Sequence, residues 1–387
     1  MSILTMALVQ DALNEFYLPG LQYQLNDQAS LLLAQLERNE KDVEGKNIVM
    51  ALRYGRNGGI GMRAEDGDLP TPSSRKTKQA KWETKNMAAR FAITEKTIKA
   101  SRSDTGSFAR LLEQEIADVE TDVKQDLSRQ VIGNGTGLLA TITVVAGTTL
   151  TVNSTMHLAE GMRIDVFQGT TNTVRIGGIV VEAVDDAESP LRITVSSATG
   201  ILANDTIFVA GSKDLEITGL DAIFTAANLY GMVRNDFPVL KATSTNVAGE
   251  ISETRIQRAI DEAERKAGAK INFLYCSYGV RRAYQNLQTL MKRHVNSVDL
   301  KGGWKALDYN GMPLAADKYI AAGKLYCLDL NDFALYSMGD FEWLERDGAM
   351  LNRIANKAAW EATMIRFCDI GCAKPRGQVE LFGITEH

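Results

Sequence analysis

Residues 82–101 read "WETKNMAARFAITEKTIKAS", with Met87, Ala89, Phe91 and Ile93 alternating against Arg90 and Thr94. Alternation at a period of two marks a strand with one buried face. Twenty residues at about 3.3 Å each would reach roughly 65 Å, several times a usual strand. A strand of that length outreaches a single domain, so the sequence predicts that another subunit covers it.

Upstream, "NIVMALRYGR" (47–56) reads as a short strand. "NGGIGMRAEDGDLPTPSSRKTK" (57–78) holds four glycines and two prolines and reads as a long loop. Residues 47–101 therefore form two antiparallel arms around an extended loop. Before them, Leu21, Leu25, Ala29, Leu32, Leu33 and Leu36 lie on one stripe of a predicted helix over 21–36. Downstream, Phe108, Leu112, Ile116, Val119, Val123, Leu127 and Val131 recur at steps of four and three. They predict one helix over 103–132, about 45 Å long, with a single apolar face. Ser103 or Asp104 is its candidate N-cap, and Gly133 is expected to stop it in a left-handed conformation.

Residues 140–216 change character. "TITVVAGTTLTVN", "GMRIDVFQG", "VRIGGIVVEAV", "LRITVSSATG" and "DTIFVAG" are short strands at near-regular spacing, the pattern of a small barrel or sandwich. From 217 the pattern is mixed α/β. The segment "ISETRIQRAIDEAERKAG" is a helix that Gly268 stops, and "INFLYCS" is a buried strand. "YGVRRAYQNLQTLMKR" is a second helix, "KLYCLDL" and "FALYSM" are strands, and 354–384 is a second long strand region with a turn at Pro375.

Composition limits the function. A net charge of −5 argues against a protein that coats nucleic acid. Four cysteines in 387 residues form no disulfide framework, and no run of 18 apolar residues is present to span a membrane. The start lacks the basic residues of a secretory signal, so a chain retained in a reducing compartment is expected. Three histidines occur without metal-ligand spacing, and Cys368 and Cys372 stand three residues apart without partners. The glycine clusters at 55–63 and 133–137 lack the Lys-Ser/Thr of a phosphate loop, and no nucleophile elbow is present. No catalytic, cofactor or metal residue is predicted.

Charge is distributed unevenly. Residues 46–102 carry 13 bases against five acids, a local +8, whereas 103–133 carry seven acids against three bases. A basic arm next to an acidic helix suggests a complementary pair formed between two copies of the chain. A DNA-binding arm and two merely solvated faces are the competing readings, because exposed ion pairs are each worth only about 0–1 kcal/mol.

The order of parts resembles the major capsid proteins of tailed bacteriophages, the Hong Kong 97-like fold. The resemblance rests on "KWETKNMAARFAITEKTIKAS" leading into "FARLLEQEIADVETDVKQDLSRQVIGNGTG". "LDYNGMPLAADKYIAAGKLYCLDLNDFAL" and "DIGCAKPRGQVELFGI" are similar to that family's later segments. It implies an α+β chain with an N-terminal arm (1–46), an extended loop (47–101), a spine helix (102–139), an axial domain (217–330) and a peripheral return (331–387). The 140–216 module resembles the barrels that some members carry as insertions.

The function so implied is a structural shell subunit, forming pentamers and hexamers of an icosahedral head around double-stranded DNA without sequence-specific binding. Its implied setting is the virion, assembled in the host cytoplasm, with a separate scaffolding protein and a portal as partners and no membrane. Arg53, Arg56, Arg63, Lys76 and Lys78 are the candidate contacts to Glu113, Glu115, Asp118 and Asp122 of a neighbour. Trp304, within 296–312, is a candidate contact around the ring. An encapsulin-type nanocompartment shares the fold and remains an alternative, as do a β-rich surface-binding or adhesin-like protein and a hydrolase.

Overall fold

The computed structural model describes residues 30–39, 42–55, 57–71, 74, 76–96, 105–169, 171–187, 189–290, 297–300, 305–345 and 351–387. The stretch 82–101 is not one strand. It divides at Thr84 into Thr77–Glu83, which pairs with Asn47–Arg53, and Lys85–Thr94. The second piece pairs antiparallel over all ten residues with the same chain, from Lys85 opposite Cys368 to Thr94 opposite Ala359. The expectation that this strand needs a neighbouring subunit is thereby corrected. Its partner lies far downstream, where local periodicity gives no sign of it.

The 14-residue strand Ala359–Cys372 is the axis of a six-stranded sheet. Lys85–Thr94 lines one edge of it, and Phe333–Ser337, Glu342–Trp343 and Asn352–Arg353 share the other. Glu37–Asn39 adds parallel to Phe333–Ser337. Phe91 and Ile93 turn inward and are buried with Met364, Leu335 and the inner face of the long helix. Of the predicted helix over 21–36, Leu31–Gln35 is helical, while 21–29 lie outside the described residues. Leu31, Leu32, Leu33 and Leu36 sink into the same core.

The long helix Thr105–Ile132 has 28 residues and spans about 42 Å. Ile116, Val123, Leu127 and Val131 form its buried stripe. The candidate caps Ser103 and Asp104 lie outside the described residues. Gly133 is not left-handed; Gly135 and Gly137 are, each at φ 79°. The helix end is closed instead by the chain returning from the barrel, where the Leu220 and Asp221 N–H groups donate to the Val131 and Ile132 carbonyls. That satisfies carbonyls a helix end leaves open. Gly219 makes the approach possible, since a Cβ there would overlap the carbonyls of Gln130, Val131 and Gly133.

Between these two crossings the chain forms a closed six-stranded barrel from Leu138–Ala146 to Thr206–Val209. Alternate residues, among them Ile142, Leu150, Ile164, Val181, Ile193 and Ile207, fill a separate apolar core. Closure removes the open edges that short strands would otherwise expose. Two buried acids pin the barrel's return. The Arg129 guanidinium donates to both oxygens of Glu216 at 2.8 and 2.6 Å and reaches Asp126 at 2.6 Å. Burial raises the Glu216 carboxyl above its usual range, and Arg129 offsets only part of that rise. Asp369 accepts from the Thr218 N–H at 2.6 Å and its hydroxyl at 2.9 Å. On the barrel's near side His157 stacks on Tyr319, and burial together with the Arg129 charge holds its imidazole down at about 4, hence neutral.

A second, seven-stranded sheet runs in the order Thr243–Gly249, Val379–Ile384, Leu325–Leu328, Phe273–Cys276, Met312–Ala316, Lys305–Tyr309 and Ser297–Asp299. Helix Glu253–Ala267 starts where the Ser252 hydroxyl accepts the Arg255 N–H and stops at left-handed Gly268 (φ 63°). Helix Tyr278–Leu290 packs beside it, and Ala259, Ala263, Val280 and Tyr284 join one core with Leu274 and Leu381. The last strand, Val379–Ile384, belongs to this sheet and not to the one built on Ala359–Cys372, so residues 331–387 divide between the two sheets. The tight turn Pro375–Gly377 redirects the chain, and Val379 and Leu381 are buried in the core beneath these two helices.

Candidate assembly surface

Strands Asn47–Arg53 and Thr77–Glu83 form a hairpin of seven register pairs, from Asn47 opposite Glu83 to Arg53 opposite Thr77. Its two faces differ. Ile48, Met50, Leu52 and Ala80 point inward and are buried, while Ala51, Arg53, Gln79 and Lys81 point outward and are exposed. At the far end the Tyr54 and Gly55 N–H groups both donate to the Lys76 carbonyl, closing a neck. A side chain at Gly55 would meet the Lys76 Cβ at 2.7 Å, so the neck requires glycine.

Past the neck the chain turns outward. Ile60 is 65% exposed, Met62 97% and Leu69 87%, the largest values among the large apolar side chains described. Single exposed apolar residues are ordinary, but three within ten positions of one projecting loop mark an interaction surface. Arg63 sits among them, followed by Glu65, Asp66 and Asp68. The positive excess read from the sequence is therefore carried by the arm's strands and neck rather than by its tip.

Several of those cations are engaged within the chain: Lys46 with Glu83 at 2.7 Å, Arg90 with Glu361, and Lys85 with the Asp214 carbonyl. Of the residues predicted as contacts, Arg53, Arg63, Lys76 and Lys78 are exposed. Arg53 donates to the Gly55 carbonyl at 3.5 Å, and the Lys78 ammonium stands 4.4 Å from the centre of the Phe237 ring. On the long helix Asp118 and Asp122 are exposed. Partial burial, then the Asp118 charge, raises the Asp122 carboxyl. Asp122 opens onto a cleft of about 380 Å³ between helix and barrel, lined also by Asp126, Arg129, Met156, His157 and Met162. Among the described residues no ion pair joins the arm's cations to these carboxylates within one chain. Arg56 and Trp304 lie outside the described residues; Glu113 and Glu115 fall on the helix, with their side chains outside them.

Sequence reading gave 228–240 no role, yet the arm rests on it. Strands Asn228–Leu229 and Met232–Val233 form a small hairpin whose turn residues Tyr230 and Gly231 are both left-handed (φ 52° and 73°). Leu229, Tyr230, Met232 and Leu240 share a core with Met50, Leu52 and Ala80, and Trp82 packs on Tyr230 at 4.3 Å. The only local signal was the dipeptide Tyr-Gly between apolar residues, which is a weak turn mark.

No protein-family model matches the chain, and no curated protein matches its sequence. Solved structures do resemble it. A subunit of the capsid of cyanophage A-1(L) is 12% identical, with a TM-score of 0.57 over 92% of this chain and 93% of that one. The structure titled Mycobacterium phage Bobi is 12% identical (TM-score 0.47, 92% and 91% covered). A Synechococcus elongatus encapsulin is 9% identical (TM-score 0.46, 91% and 87%). No helix among the described residues is long and apolar enough to cross a membrane. The likeness to the cyanophage subunit, extending over nearly the whole of both chains, establishes the Hong Kong 97-like architecture of this α+β chain.

Proposed function

We propose that this chain is a structural major capsid protein that assembles with copies of itself into pentamers and hexamers of an icosahedral shell around double-stranded DNA. The observation that carries the reading is the loop at 54–76, whose Ile60, Met62 and Leu69 are the most exposed large apolar side chains among the described residues. Full burial of each against a neighbour would contribute about 1.5–3 kcal/mol. An exposed pair such as Arg63 with a neighbour's Asp122 would add about 0–1 kcal/mol. Apolar contact thus supplies most of the association energy, and the charges Arg53, Arg63, Lys76 and Lys78 against Asp118 and Asp122 supply register. The role is structural rather than catalytic. A net negative shell suits an enclosed polyanion that must move during packaging. A scaffolding protein and a portal would be separate chains, and assembly would take place in the host cytoplasm.

Electron microscopy and gel filtration of the purified chain test this. Closed shells of uniform diameter are the expected result. A monomer that forms no shell under any assembly condition would overturn it. The contents of particles isolated from the cells that make the chain then separate the related readings: double-stranded DNA is expected, and a single protein cargo without DNA would indicate a nanocompartment.

A further inference from the structure

The arm is held at its root by a seat that the shell reading does not explain. Beyond the shared apolar core, three ring contacts run along the hairpin toward the neck. Trp82 lies over Tyr230 with centroids 4.3 Å apart, the Phe237 edge meets Tyr54 at 5.8 Å, and Lys78 caps the same Phe237 ring at 4.4 Å. The seat is itself anchored to the sheet built on Ala359–Cys372, since the Cys372 N–H donates to the Tyr230 hydroxyl at 2.8 Å, and the arm's own Trp82 meets Tyr336 of that sheet at 5.8 Å. Gly231 lets the arm come down onto it: a Cβ there would overlap the Lys81 carbonyl, and its φ of 73° favours glycine independently. Contacts spread along the hairpin fix an angle, whereas contact at one point would leave a pivot. Among the described residues past the neck no such ring contact is present, so the exposed tip follows whatever direction the root is given.

We propose that the segment 228–240 is an angle-setting seat for the arm, with Tyr230, Gly231 and Phe237 as positioning residues that determine where the loop meets the next copy and hence the curvature of the assembly. This rests on the capsid reading, but the angle itself is a property of one subunit. A small tilt at the root moves the tip farther the longer the arm, because displacement grows with lever length. Assembly geometry is therefore more sensitive to the seat than subunit stability is.

The test uses the full chain in two measurements. Spin labels at Gln79→Cys on the arm and Arg258→Cys on helix Glu253–Ala267, both exposed positions, report the arm-to-body distance in unassembled subunits. Gly231→Ala and Phe237→Ala should shift or broaden that distribution, and Phe237→Tyr should restore it. In the same variants without labels, electron microscopy should find open sheets, tubes or shells of mixed diameter in place of uniform ones. An unchanged distance distribution in Phe237→Ala overturns the proposal even if Gly231→Ala fails to fold. So does a changed distribution with shells of unaltered diameter. Should the parent chain form no shell, the capsid reading falls, while the spin-label distances still decide whether the seat sets the angle.

Discussion

Two neighbouring extended segments meet opposite fates. Lys85–Thr94 has every residue in register with Ala359–Cys368, and its Phe91 and Ile93 are buried. Residues 54–76, a few positions earlier, are exposed for most of their length and hold Met62 almost wholly in solvent. The first carries the strand signal and the second reads as an irregular loop, so by pattern alone the strand looks like the segment in need of a partner. The structure reverses this. A periodic strand is a good substrate for pairing within its own fold, and the loop is what the subunit leaves unfinished.

The comparison breaks most directly at the loop. Replacing residues 57–74 by an Asn-Gly turn should leave subunit stability within about 0.5 kcal/mol, since most of the described residues there are exposed. It should abolish shells, as scored by electron microscopy; shells of normal yield would show that the loop is not the contact. On the closed side the effect moves to stability. Phe91→Ala should cost the subunit about 3–5 kcal/mol in urea denaturation, because Phe91 is 6% exposed within the main core. A loss below about 1 kcal/mol would mean that its own chain does not close the strand.

A third measurement uses pH. Asp369, fully buried on the strand Ala359–Cys372, has its carboxyl raised to about 6 by burial, against the stabilising hydrogen bonds from Thr218 and Ile370. A raised folded pKa means that the folded state holds the proton more tightly. This contribution is complete below about 4 and is lost as pH rises to 6, by about 3 kcal/mol. Asp369→Asn should therefore gain on the parent chain by up to that amount between pH 4 and 6, measured by denaturation. A gap that does not widen with pH would place the titration elsewhere. The smallest effect belongs to the charges. Arg53→Glu with Arg63→Glu should slow assembly at low salt and converge with the parent at high salt, followed by light scattering. Identical kinetics at both would remove these two residues from the register.

The sequence determined the large periodic elements: the long one-faced helix, the barrel strands, helix Glu253–Ala267 with its glycine stop, and the order of parts that pointed to the fold. Each is specified within a few residues, by 3.6- or 2-residue spacing or by a cap, so local chemistry suffices. What it could not determine depends on residues far apart in the chain. The break at Thr84, the cover of Lys85–Thr94, the pairing of Val379–Ile384 in the seven-stranded sheet and the closing of the long helix at Leu220 all need a partner a hundred or more positions away, or a chain returning from the barrel. The candidate surface divides in the same way. The basic arm and acidic helix were legible as charge runs, but the engagement of Lys46, Arg90 and Lys85 inside the subunit was not. Neither was the exposure of Ile60, Met62 and Leu69 or the seat beneath the arm. Exposure is what remains after everything else has packed, so only the tertiary structure decides it.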